Sequence, residues 1–171
     1  MLFRSTPVRA AIEASSSVIR PVLSGRPLRL LVVGGSRGAR RLNEVLPAAF
    51  AGAAATTFDI RHQTGDAGLE ATRAAYAANA VEASVYAFID DMPSAYAWAD
   101  LVVCRAGAMT LAEVTAAGLP SVLVPFPHAV DDHQTANARY LAEAGAAVLL
   151  PETDLAPEQL ADLLRTLAAD P

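Results

Sequence analysis

Short apolar runs alternate along this chain with longer stretches whose apolar residues recur at helical spacing. The runs are Leu28–Val33, Thr57–His62, Ser84–Phe88, Leu101–Cys104, Ser121–Pro125 and Ala147–Leu150. Most lack the strict polar alternation of a half-exposed strand, which predicts strands buried on both faces in a parallel sheet. The intervening stretches predict helices at about Ala39–Ala51, Ala67–Ala78, Pro93–Trp98, Thr110–Ala117, Gln134–Ala144 and Pro157–Ala168. Pro157 suits a first helical turn, and Gly118 and Gly145 suit positions just past helix ends. A further short helix is expected over Val8–Ser16. Six strands joined by helical crossovers predict an α/β chain with a Rossmann-like, doubly wound parallel sheet. In such sheets ligands bind outside the carboxyl ends of the strands, so the loops after each apolar run are where chemistry is expected.

The loop after the fourth run stands out. Cys104-Arg105-Ala106-Gly107 leads into a helix opening at about Ala108. Ala106 and Gly107 are small enough for a ligand to approach the backbone. The unpaired N–H groups of Ala108, Met109 and Thr110 favour phosphate there. Glu113, one turn on, is suited to accept hydrogen bonds from sugar hydroxyls. Diphosphate and ribose together describe a nucleotide. After the first run, Gly34-Gly35-Ser36-Arg37-Gly38-Ala39 reads either as an anion-binding loop with Ser36 as donor or as a plain turn. It has neither the G-x-G-x-x-G spacing nor a Gly-Lys-Ser/Thr ending, so the dinucleotide and Walker A fingerprints are both absent.

The other loops are more ambiguous. His62 reads as a base or, more simply, as a hydrogen-bonded structural histidine at a strand end. Asp90-Asp91 reads as half of a metal site or as a helix N-cap; adjacent carboxylates do not readily aim at one ion, which favours the cap. The backbone at Ile89 is placed to read a base edge. In the loop that starts at Pro125, His128, Asp131, Asp132 and His133 are the right types for metal ligands, but no Cys or spaced Glu completes a set. A polar wall for sugar hydroxyls, formed by His133 and Gln134, fits better.

Composition narrows the classes. The 171 residues suit one domain, and 53% hydrophobic with 18% charged residues is globular rather than disordered. Cys104 is the single cysteine, so no disulfide framework exists and a reducing cytoplasm fits. All 13 basic residues are Arg; residues 1–41 carry a balance of +7 and the remainder −12. The net −5 argues against nucleic acid as a partner. The basic segment suits an anionic ligand or an anionic lipid surface, or reflects a genome-wide preference for Arg. Met1–Gly25 has a transit-peptide-like composition but also reads as an interdomain linker, so the expected division is a linker over 1–25 and a nucleotide-binding domain over 26–171.

The stretches "GGSRGARRLNEVLP", "RHQTG", "FIDDMPSAYAWADLVVCRAGAMTLAEVTAAGLPSVLVPFPHAVDDHQTANA" and "AGAA" together resemble the donor half of the MurG family, GT-B glycosyltransferases that move N-acetylglucosamine from UDP onto lipid I. Pro7-Val8-Arg9 resembles that family's Asn-Pro-Val-Arg linker, with Thr6 in place of Asn. The resemblance implies a UDP-N-acetylglucosamine site in which Arg9 and Ser36 line the nucleotide and Ile89 meets the uracil edge. It further implies that Ala108, Met109 and Thr110 face the diphosphate, that Glu113 holds the ribose, and that His133 and Gln134 contact the sugar. It implies an inverting reaction without a metal or other cofactor, on the cytoplasmic face of the inner membrane, making lipid II for peptidoglycan.

The acceptor domain, with its glycine loops, general base and membrane-facing patch, has no counterpart in the sequence. The expectation is therefore an excised donor domain with no catalytic residue of its own, inactive alone, and self-associating through the apolar, basic segment Met1–Leu23. The alternatives are a stand-alone donor subunit of a two-chain transferase and a non-catalytic nucleotide-sugar binding module. UDP-GlcNAc 2-epimerases share the fold but need a second domain and acid/base residues that are not evident.

Overall fold

The computed structural model describes residues 25–34, 39–52, 57–128 and 132–169. The strands are β1 (Leu28–Val33), β2 (Phe58–Gln63), β3 (Ser84–Tyr86), β4 (Leu101–Cys104), β5 (Ser121–Leu123) and β6 (Ala147–Leu149). The helices are α1 (Arg40–Ala49), α2 (Leu69–Ala78), α3 (Met92–Trp98), α4 (Ala108–Ala116), α5 (His133–Glu143) and α6 (Pro157–Ala169). All strand pairs are parallel, in the order β3-β2-β1-β4-β5-β6. The expected doubly wound sheet is therefore present. The expected short helix over 8–16 lies outside the described residues.

Both faces of the sheet are covered, which is why its strands are apolar on both sides. Leu28, Leu30, Val32, Val103 and Val122 pack on one face with Leu42, Leu46, Leu160 and Leu164 from α1 and α6. Leu31, Val33, Val102, Cys104 and Leu123 pack on the other with Tyr96, Leu111, Val114 and Leu141 from α3, α4 and α5. Truncating any of the fully buried leucines among these to Ala costs about 2–5 kcal/mol.

Three expected strands end earlier than their apolar runs, β3 and β5 by two residues and β6 by one. The β3 ladder stops at Tyr86 because its partner β2 ends at Gln63, and Phe88 is left 47% exposed. The β5 pairing stops at Leu123, although the Val124 N–H still donates to the Cys104 carbonyl of β4 (2.9 Å). Helix ends follow local chemistry. The Asp91 carboxylate accepts from the Ser94 N–H (3.1 Å) at the start of α3, the cap role weighed above. Gly118 and Gly145, past the ends of α4 and α5, have φ of +63° and +72°, a conformation that favours glycine.

The amino end of the sheet is tied by one ion pair. Arg26 donates to both carboxylate oxygens of Asp100 (2.7 and 2.9 Å), and the Arg29 N–H donates to the same group (2.9 Å). Partial burial pushes the Asp100 carboxyl up, but the Arg26 and Arg29 contacts outweigh it and hold the group below the usual carboxylate range.

Candidate functional site

The order of strands reverses between β1 and β4, the switch point at which doubly wound sheets open a crevice. Two loops flank it. After β1, the Gly34 N–H donates to the Gln63 carbonyl (3.3 Å), and a Cβ at Gly34 would stand 2.7 Å from the Ala39 nitrogen, so only glycine fits. Ser36 in this loop and Arg9 in the preceding segment lie outside the described residues.

After β4, Ala106 is buried and Gly107 caps α4. Gly107 has φ −68° and ψ 143°, a conformation open to any residue, and among the described residues a Cβ there would meet nothing within 4 Å. The fold itself gives no reason for glycine at this position. The cap makes no side-chain hydrogen bond, and no acidic residue occupies the first turn of α4. The N–H groups of Ala108, Met109 and Thr110 precede the first intrahelical donor, Leu111, which pairs with the Gly107 carbonyl (3.0 Å). The result is an uncapped positive helix end at the switch point. Cys104, at the end of β4, is sealed in the core, and burial pushes its thiol up to about 12, so it is inert.

Glu113, on the second turn of α4, is buried at 6% exposure, and its Oε2 accepts from the Tyr96 hydroxyl (3.1 Å). A carboxylate held at one oxygen by a buried phenol is fixed in orientation. Tyr96 carries no signal of this role in the sequence, where it reads as one more core residue of α3.

On the β2–β3 side, the Ile89 N–H donates to Gln63 Oε1 (3.0 Å), so the backbone expected to read a base is held by a buried side chain from the end of β2. Phe88 projects beside it. His62 turns inward: Nδ1 pairs with the Tyr76 hydroxyl and Nε2 with Asn43 Oδ1, each at 3.0 Å. Burial pulls its pKa down to about 3. His62 is thus the structural histidine, not the base.

On the β5 side, His133 and Gln134 open α5 behind Asp132, which takes a left-handed conformation (φ 52°). Gln134 Oε1 accepts from the Phe126 N–H (2.9 Å). Arg105 donates to the Val124 and Pro125 carbonyls and sits over the Phe126 ring. His128 is exposed and stacks edge-on with Phe126, and Asp131 lies outside the described residues. Among the described residues, no group of three or more His, Cys, Asp or Glu side chains is arranged to hold a metal. Of the residues read from the sequence, Ile89, Ala108–Thr110, His133 and Gln134 therefore lie on loops and helix starts at one edge of the sheet, with Glu113 one turn behind.

The description "Glycosyltransferase family 28 C-terminal domain" matches residues 29–171. The chain belongs to this family. Two relatives named "UDP-N-acetylglucosamine--N-acetylmuramyl-(pentapeptide) pyrophosphoryl-undecaprenol N-acetylglucosamine transferase" match nearly its whole length. The one from Chromohalobacter salexigens is 58% identical over 164 residues, 94% of this chain and 45% of the relative. The one from Xanthomonas campestris pv. campestris (strain 8004) is 58% identical over 166 residues, 96% of this chain and 39% of the relative. The crystal structure of Acinetobacter baumannii MurG superposes with a TM-score of 0.80 at 46% identity, covering 88% of this chain and 46% of that one. The chain spans less than half the length of these family relatives. The kitacinnamycin glycosyltransferase, at 24% identity and a TM-score of 0.61, shares the fold. Among the described residues no helix is long and apolar enough to cross a membrane.

Proposed function

We propose that this chain binds UDP-N-acetylglucosamine as the donor domain of an inverting transferase that passes GlcNAc to lipid I. The observation that carries the reading is Gly107. Neither its conformation nor its neighbours demand glycine, yet a side chain there would stand at the open N-terminus of α4, where a diphosphate is best held. The names of the family relatives supply the sugar nucleotide and the acceptor class.

In this reading the N–H groups of Ala108, Met109 and Thr110 bind the diphosphate. They stabilise the charge that builds on UDP as the acceptor hydroxyl attacks the anomeric carbon. Glu113, held by Tyr96, accepts from the ribose hydroxyls. Ile89 meets the uracil edge, and Arg9 and Ser36 line the nucleotide. His133 and Gln134 face the sugar. No metal is needed, because the helix end and its backbone donors supply the electrostatic stabilisation. Residues 1–25 link this unit to an acceptor domain that brings the base and the lipid-facing surface, and the enzyme works at the cytoplasmic face of the membrane. Phe88, Met109 and Phe126, three of the exposed large hydrophobics, sit at the same edge of the sheet and suit a surface covered by that domain. Alone, the chain binds donor and transfers nothing.

Calorimetric titration with UDP tests this. The wild-type chain should bind, and Glu113→Ala should lose about 1.5–3 kcal/mol, the worth of charge-assisted bonds to two hydroxyls. Equal affinity in the two proteins removes Glu113 from the site. No binding by the wild type rejects the reading.

A further inference from the structure

We infer that Arg105 is a positioning residue for the donor sugar, acting through the backbone at 124–126 on Gln134. The inference rests on the donor-binding reading above and adds a residue to it.

Arg105 is the first residue after β4, and its side chain is only 13% exposed. Its Nη1 donates to the carbonyls of Val124 and Pro125, both at 3.3 Å. Its guanidinium carbon lies 5.4 Å from the centre of the Phe126 ring. The same nitrogen forms an ion pair with Glu152 Oε2, a charge contact without hydrogen-bond alignment, in the turn after β6. One guanidinium thus joins the loop before the diphosphate helix, the segment after β5 and the turn after β6. Phe126 then passes the constraint on, because its N–H donates to Gln134 Oε1 at 2.9 Å.

The physical consequence concerns orientation. Fixing the oxygen of a glutamine carboxamide also fixes where its NH2 points. Phe126 is exposed, so water competes for its N–H, and the bond to Gln134 persists only if the backbone at 124–126 is held from behind. Arg105 is the side chain that holds it. All three polar contacts fall on Nη1, while the guanidinium plane meets the Phe126 ring; a lysine ammonium could keep some of the acceptors but has no plane to lay on the ring. Among the described residues, none of these side-chain contacts is made to Ala108–Thr110 or Glu113. Arg105 should therefore govern the sugar and not the nucleotide.

The test is a pair of titrations on the 171-residue chain, with UDP and with UDP-N-acetylglucosamine, for wild type, Arg105→Met, Arg105→Lys and Glu152→Gln. Arg105→Met should lower affinity for UDP-N-acetylglucosamine about five- to tenfold, the scale of one well-placed hydrogen bond, while UDP affinity stays within about twofold. Arg105→Lys should fall between, and Glu152→Gln should move the ratio less in the same direction. Gln134→Ala added to Arg105→Met should cost nothing more, since the two act as one unit. A merely structural role would move both ligands together, and equal losses, or no loss for either, overturn the inference. Should Arg105→Met fail to fold, Arg105→Lys and Glu152→Gln decide by the same ratio. A wild-type chain that ignores UDP would instead sink the donor-binding reading itself, before any variant is compared.

Discussion

The two ends of the one sheet are built in opposite ways. At the amino end the chain satisfies itself. Asp100 takes three hydrogen bonds from Arg26 and Arg29, and its own N–H donates to the Arg29 carbonyl (2.8 Å). The Arg29 guanidinium lies over Trp98, 5.9 Å from its ring centre. At the carboxyl end, α4 opens with no side-chain cap, a Cβ at Gly107 would meet none of the described residues, and Phe88, Met109 and Phe126 are exposed. A sheet that closes one end on itself and leaves donors and apolar area open at the other separates stability from binding. Stability is lodged where no ligand reaches, so the open end can be shaped by what it holds.

The sharpest way to break this comparison is at the closed end. Asp100→Ala leaves a partly buried guanidinium and the Arg29 N–H without their acceptor, and should cost about 2–3 kcal/mol in urea unfolding. UDP affinity should not change. A parallel loss of UDP affinity would mean that the two ends are coupled.

His62 sharpens the comparison from within, since it sits near the carboxyl end of β2 yet belongs to the closed part of the molecule. Its folded pKa is about 3, against about 6.5 in an unfolded chain. Below pH 6.5 the unfolded state takes up a proton that the folded state refuses, so stability falls as pH drops. Between pH 7 and pH 5 the loss should approach about 2 kcal/mol. Urea titrations at the two pH values measure it, and His62→Gln should flatten the difference. A wild-type stability independent of pH over that range would show that His62 is not sealed in its neutral form.

The smallest effect on the fold, and the most pointed for the site, is expected of Gly107→Ala. The added methyl meets none of the described residues and the backbone conformation is ordinary, so stability should stay within about 0.5 kcal/mol. UDP affinity should drop about tenfold, because the methyl intrudes where the diphosphate approaches the α4 N–H groups. Unchanged affinity would return Gly107 to the status of an incidental turn residue.

Much of this was legible in the chain itself. The central strands β1, β4 and β5 follow their apolar runs because both faces of the sheet are covered there, whereas β2 alternates, with Asp59 exposed between buried Phe58 and Ile60. The uncapped start of α4 was readable from Ala106-Gly107, since small residues before a helix are a local signal. The N-cap at Asp91 was equally local. What could not be read were the partners: Gln63 for Ile89 across 26 positions, Tyr96 for Glu113 across 17, and Arg105 for Val124 across 19. No periodicity reports such distances, and Tyr96 and Arg105 have no local pattern that sets them apart from an ordinary core aromatic or surface cation.

The sequence by itself therefore determined the order of elements, the parallel sheet and the loops in which chemistry is concentrated, because each rests on interactions within a few residues or on the apolar content of a run. Tertiary structure alone decided which polar side chains are sealed and which are presented. His62 and Glu113 are both buried and both bonded to a tyrosine. His62 is locked neutral between Tyr76 and Asn43, while Glu113 stands behind an open helix end. That division depends on crossovers that bring distant segments to neighbouring strands, where burial and a fixed partner set protonation and orientation.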